Sequence, residues 1–166
     1  MKNYGIAALS TMSSVYEIFQ SPIFLSAVSS WLFSQLLKTL IDLFRRRHNS
    51  SMKSILLHLF WATGGMPSSH SSVVAALATS RGFIVGVGSP IFVLALFYGF
   101  LTIRDALGVR RAAGSQAMVL NQVIFELSRK MGISIDKVKE VHGHKFSEVT
   151  VGALLGFFIA VAFCNL

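Results

Sequence analysis

A histidine set among serines and preceded by two glycines and a proline, Gly64-Gly65-Met66-Pro67-Ser68-Ser69-His70-Ser71-Ser72, stands at the mouth of a long apolar run. Glycine at Gly65 frees the backbone to wrap closely around a ligand, and Pro67 is pre-set for the first position of a helix. Ser68 and Ser69 then fall in the first turn, where unpaired amides and the positive end of the helix dipole favour an anion. His70, in the same turn, can hold or pass a proton near neutral pH. An anion cradle beside a titratable base suits phosphate chemistry. A capped helix start with an interfacial histidine accounts for the same residues without it.

Two further clusters carry chemistry-bearing side chains. The first is Arg104-Asp105-Ala106-Leu107-Gly108-Val109-Arg110-Arg111. The adjacent Arg110 and Arg111 can offer fork-shaped donors to phosphate oxygens, although arginines also commonly end a membrane span on the cytoplasmic side. Asp105 reads as buried beside them, and an ionisable group at membrane depth usually serves a site or a partner charge. The second cluster is His142-Gly143-His144-Lys145-Phe146-Ser147-Glu148. A helical arrangement would put His144 and Glu148, four apart, on one face, where a carboxylate can fix an imidazole and stabilise its charge. Alternatively Glu148 is a first-turn carboxylate favoured by the helix dipole. Metal ligation by His142, His144, Glu148 or Asp105 lacks a tight ligand set.

These clusters need membrane elements to position them. The chain has 166 residues, enough for one domain, and 53% are hydrophobic while 13% are charged, which excludes an ordinary soluble domain and fits an all-α integral membrane bundle. Four candidate spans cover 22–44, 68–87, 90–107 and 147–164. Gln35, Lys38 and Asp42 are polar exceptions in the first, and Gly86, Gly88, Ser89 and Pro90 make a tight turn between the second and third. Residues 1–20 suit an interfacial helix. The repeat Ala117, Leu120, Ile124, Leu127, Met131 predicts an amphipathic helix over 113–131, lying on the membrane or on the bundle. Gly132 should end it, and Ser134 could cap a short helix through about Val141. Gly82 with Gly86, and Gly152 with Gly156, form small-xxx-small faces that allow close helix approach in lipid. Cys164 is the one cysteine, so there is no disulfide framework.

The net charge of +8 comes from basic residues that flank the spans, with no nucleic-acid motif beside them. Most lie between the first and second spans or between the third and fourth. The positive-inside rule therefore places both loops, and every cluster above, on the cytoplasmic side.

Taken together, Gly-Gly-Met-Pro-Ser-Ser-His-Ser, Asp-Ala-Leu-Gly-Val-Arg-Arg-Ala-Ala-Gly-Ser-Gln-Ala and Gly-His-x-x-x-Glu-Val-x-x-Gly-Ala-Leu-Leu-Gly resemble one family from about Lys38 onward. It is the divergent membrane branch of the type-2 phosphatidic acid phosphatases, labelled acid phosphatase/vanadium-dependent haloperoxidase-related. The wider superfamily uses Lys-x6-Arg-Pro, Pro-Ser-Gly-His and Ser-Arg-x5-His-x3-Asp. Lys38 and Arg45 keep the first spacing, with Arg46 in place of proline; Ser69 replaces the glycine of the second block. His144 and Glu148 match the end of the third, with Val138 where its arginine would stand.

The resemblance implies roles residue by residue. His144 would be the nucleophile that forms a phosphohistidine, Glu148 would orient it, and His70 would protonate the leaving oxygen. Lys38, Arg45, Gly65, Ser68, Ser69, Arg110 and Arg111 would hold the phosphoryl oxygens, with Asp105 in support. The scheme calls for no metal or cofactor. Its partners are the bilayer and a phosphorylated lipid such as a phosphatidate or polyprenyl phosphate, with a homo-oligomer allowed and no nucleic acid. A non-enzymatic relative that keeps the anion pocket to bind, transport or assemble lipid phosphates is the alternative.

Overall fold

Proline and serine set where the apolar helices begin. Pro22 opens α1 (Pro22–Arg45), and Pro90 opens α3 (Pro90–Arg104), whose N-cap Ser89 accepts the Phe92 amide at 3.1 Å. Proline at the first helical position loses no intrahelical bond, and the serine oxygen satisfies one of the amides left over. Between them lies α2 (Ser69–Val85), capped by Ser68. A π-helical turn over Asp105–Val109 leads without a break into α4 (Arg110–Met131), and α5 (Phe146–Asn165) completes the order. The structure, a computed structural model, describes residues 16–45, 65–140 and 143–166, and among them it is all-α.

α1, the continuous rod Pro90–Met131 and α5 are each long and apolar enough to cross a membrane. Their outward faces are rich in exposed Leu, Phe and Val, as lipid contact requires. α2 has 17 residues, about 25 Å at ~1.5 Å per residue, and sits at the short end of the range for a span. It is the central helix, packed against α1, α3 and α5. The helices α1, α2 and α5 occupy most of the ranges 22–44, 68–87 and 147–164.

Small residues line the interior. Ser26, Ser30, Ser34 and Lys38 recur every fourth residue on α1 and are buried. Such serines satisfy their hydroxyls on their own helix, Ser34 donating to the Ser30 carbonyl at 2.7 Å. Gly152 and Gly156 of α5 meet the Ser68 and Ser72 carbonyls of α2 so closely that neither position has room for a Cβ. That is the small-xxx-small contact expected of this pair. Gly82 and Gly86 behave otherwise: Gly82 faces the Phe92 ring of the next helix, and Gly86, at φ +83°, ends α2 with no neighbour where a Cβ would stand.

Pairwise contacts fix the directions. Ser72 Oγ donates to the Ser30 carbonyl at 3.3 Å, and the Lys38 stem lies against Gly65, so α1 and α2 are antiparallel. Gly99 against Val74 and Gly82 against Phe92 make α2 and α3 an antiparallel hairpin, whereas α2 and α5 run parallel. The C-terminal ends of α1 and α3 and the N-terminal ends of α2 and α5 therefore share one end of the bundle.

Three local expectations change. The amphipathic helix begins at Arg110, not near 113, and continues the third span, because the chain never leaves helical geometry at Arg104, Val109 or Arg110. Gly132 does end it, at φ 66°, but residues 132–140 form no helix from Ser134. They return along α4, held by Asn121, whose side-chain amide accepts the Val138 N–H at 2.8 Å and donates to its carbonyl at 2.9 Å. A segment whose backbone groups pair with a side chain has no need of a helical ladder. Of the expected interfacial helix, 16–20 is helical and exposed, and 1–15 lies outside the described residues.

Candidate functional site

The shared end of the bundle gathers the residues singled out by sequence. Lys38 is only 2% exposed; its Cγ and Cδ pass 3.7 and 3.9 Å from where a Cβ on Gly65 would stand. Gly65 takes φ +82°, a conformation open to glycine at little cost, and the Met66–Pro67 peptide is cis. Pro67 precedes the N-cap and does not open α2, which begins at Ser69. Ser68 is the N-cap, its Oγ accepting from the Ser71 amide at 3.4 Å and the Ser71 hydroxyl at 3.0 Å. The Ser68 amide is spent on the Glu148 carbonyl at 2.9 Å. Ser68 thus builds the helix start and ties it to α5. The donors left for an anion are the amides of Ser69 and His70, the first two helical positions, which have no intrahelical acceptor. Ser69 is buried and His70 is exposed at the rim.

The histidine of the last cluster enters from the other side. The His144 amide donates to the Ala106 carbonyl at 3.2 Å, inside the π-helical turn. Gly143 lies against the Arg111 backbone so tightly that a Cβ would stand 2.6 Å from its Cα. His144 is 5% exposed, and its buried Nδ1 has no hydrogen-bond partner among the described residues. Burial pushes the imidazole below its ordinary value; the Glu148 carboxylate opposes this, and the Lys38, His70 and Arg110 charges add to it. Four of the singled-out side chains therefore lie within electrostatic reach of His144. His70 in turn feels Arg110, Lys38 and Asp105.

Several expected roles shift. Glu148 does not hydrogen-bond to His144. His144 precedes α5, so the two do not share a helical face; the Glu148 carboxylate instead accepts the Lys145 amide at 3.0 Å as part of a capping box. Asp105 is not buried: it pairs with Arg110 Nε at 2.9 Å, with the two side chains 44% and 42% exposed. Arg111 contributes its backbone and Cβ to the Gly143 contact and is otherwise exposed. Arg45 is the last residue of α1, while Arg46 and His142 lie outside the described residues. Among the described residues no group of three or more His, Cys, Asp and Glu could hold a metal.

Sequence reasoning missed the Ala106 carbonyl, which has no side-chain signature, the π turn, marked only by the spacing of small residues, and the Asn121 clamp, whose asparagine reads as one more polar position. It also passed over Gln35 as a polar exception, although that residue is buried at 4% exposure three positions before Lys38.

Comparison with known proteins adds an independent result. Residues 19–159 match the family model described as the Divergent PAP2 family. Over 148 residues the chain is 33% identical to the uncharacterized membrane protein YuiD of Bacillus subtilis (strain 168), a stretch covering 82% of this chain and 90% of that relative. No solved structure matches.

Proposed function

Because the chain belongs to the Divergent PAP2 family, we propose that this integral membrane protein hydrolyses the phosphate of a lipid monoester or diphosphate through His144. The observation that carries the reading is the convergence of Lys38, Arg110, His70 and Glu148 on a buried histidine at one end of the bundle. A site at the end of membrane helices suits a substrate with an apolar tail and an anionic head. The basic loops around it favour the cytoplasmic side.

In this scheme Lys38, Arg110 and the amides of Ser69 and His70 hold the phosphoryl oxygens and offset the charge that builds during transfer. The neutral His144 imidazole attacks phosphorus, an N–P bond forms, and the P–O bond to the lipid breaks. His70 gives its proton to the departing lipid oxygen. It then takes a proton from water as that water attacks the phosphohistidine, breaking the N–P bond and releasing inorganic phosphate. Glu148, occupied by the cap, acts on His144 through its charge and not by orienting it. The residues need no metal for these steps.

One observation favours the alternative, a lipid-phosphate binder without turnover: the carboxylate that would orient the nucleophile is committed to the helix cap. A single comparison separates the two. Purified protein in detergent is assayed for phosphate release from a lipid phosphate, beside His144→Ala. Turnover abolished by the substitution, with lipid-phosphate binding kept, supports the phosphatase. Wild-type release no greater than that of His144→Ala removes His144 as nucleophile and leaves the binder.

A further inference from the structure

The interior of the bundle holds a second polar atom with no partner. Gln35 Oε1 and His144 Nδ1 are the two buried side-chain atoms without a hydrogen bond among the described residues. His144 already belongs to the site. Gln35 is on α1, one short turn before Lys38, and both are buried, so they project from the same side of the helix. Interpolation along α1 gives its depth. Ser30 is level with Ser72 through their hydrogen bond, and Lys38 is level with Gly65. Gln35 falls between, near the level of Pro67 and Ser68, just before α2 begins and where Gly152 of α5 closes in on Ser68. Gln35 thus sits about 4.5 Å deeper along the helix axis than Lys38, below the start of α2, with its buried carbonyl unpaired.

An acceptor in that place is chemically specific. Every other group assigned to the anion is a donor: the Lys38 ammonium, the Arg110 guanidinium and the first amides of α2. Donors suit bare phosphoryl oxygens. An amide oxygen suits an oxygen that still carries its proton and meets a fully ionised one lone pair to lone pair. Resting on the phosphate reading above, we infer that Gln35 is a specificity-determining residue that accepts the P–OH hydrogen of a monoanionic phosphoryl group. The site then selects protonated phosphate over anions of like shape that carry no proton, such as sulfate.

The test uses the full chain in detergent, with inorganic phosphate and sulfate as probes, measured by calorimetry across the second ionisation of phosphate. The wild type binds phosphate more tightly than sulfate, and the preference fades as phosphate loses its second proton with rising pH. Gln35→Leu, similar in volume and at ease in a helix, weakens phosphate binding at the acid end roughly tenfold, as the loss of one charge-assisted hydrogen bond implies, and leaves sulfate unchanged. Gln35→Glu keeps an acceptor oxygen, preserves or sharpens the discrimination, and provides the same comparison should the leucine variant fail to fold. Lys38 and Asp42 on α1, His70 on α2, Glu148 on α5, His144 in its loop, and Asp105 and Arg110 beside it also titrate or carry charge near the anion. They are common to all three proteins, so the difference between them isolates Gln35. A phosphate-to-sulfate ratio unaltered in Gln35→Leu overturns the role of Gln35 while leaving the anion site intact. Binding of neither anion to the wild type overturns the site itself, and the inference with it.

Discussion

Replacing Gly143 by alanine tests whether the loop that carries His144 must sit where it does. A Cβ at this position would stand 2.6 Å from Arg111 Cα and Cβ and 2.7 Å from its N, whereas ordinary contacts begin at 3.4 Å, so the loop must retreat by 3.4 − 2.6 = 0.8 Å. The opposing atoms are mainly backbone in a continuous helix and cannot swing aside. The displacement falls on the next residue, whose amide reaches the Ala106 carbonyl at 3.2 Å, near the limit for a hydrogen bond. A misplacement of roughly 1 Å at a reacting group costs about a hundredfold in rate, or about 2.7 kcal/mol of barrier. The assay is kcat for phosphate release from a lipid phosphate, with thermal unfolding followed in parallel. Gly108→Ala is the control: it lies four residues after Arg104 in the same helical run and has nothing within 4 Å of its added Cβ, so it should be neutral or slightly stabilising. Gly143→Ala with kcat equal to that of Gly108→Ala would refute the claim that this contact sets the position of the histidine.

Other outcomes follow from the same geometry. Because burial holds His144 below the ordinary histidine value, the acid limb of kcat/KM should lie below about pH 6.5. In that window the unfolded chain binds more protons than the folded one, so stability should fall as pH drops below about 6.5; a thermal-unfolding series against pH in wild type and His144→Gln reads the difference. Gly156→Ala should wedge α5 from the Ser72 carbonyl and lower the unfolding temperature markedly, while Gly82→Ala meets side chains alone, the Phe92 ring at 3.1 Å and Val87 at 3.7 Å, and should cost less; melting curves of the two compare them directly. Asn121→Ala removes both bonds to Val138, and hydrogen exchange over 133–140 should quicken while α2 and α5 stay protected; unchanged exchange there would mean that the clamp does not hold the segment.

Much of this arrangement was legible in the residues. Apolar length marked the helices, the Gly86 to Pro90 turn marked the hairpin, and Gly152 with Gly156 marked the close approach, because each depends on side-chain type at a fixed spacing. Basic residues at the ends of the apolar runs marked Lys38, His70, Arg110 and His144 as neighbours at one end. The connections were less legible. Glu148 at the spacing of a histidine partner is also at the spacing of a capping box, and the cap prevails because its own helix begins at Phe146, after His144. Asp105 beside arginine reads the same whether buried or half-exposed. Pro67 looks like a first helical residue, yet Ser68 caps more effectively by accepting from Ser71. Asn121 and Gln35 act through one atom each at positions where many polar residues would look alike.

The π turn alters the phase of the longest helix. Gly99 and Ala106, seven residues apart, are both buried, and so is Gly114, but Gly114 follows Ala106 by eight, and Asn121 follows by seven again. At about 100° per residue, seven steps return nearly to the starting face, and an eighth would rotate the helix a further ~80° or more away from it. A π turn absorbs about one residue, so the interval of eight becomes angularly equivalent to seven. The face that packs inside the bundle and the face that grips the returning segment are thereby brought into line along one rod. Deleting one residue between Asp105 and Val109 would let the rod run as an ordinary α-helix with Asn121 still in phase, whereas deleting one residue between Gly114 and Asn121 would turn Asn121 away from Val138. The seven-eight-seven interval is thus a readable mark, within the sequence itself, of where the rod changes its winding to serve two different surfaces.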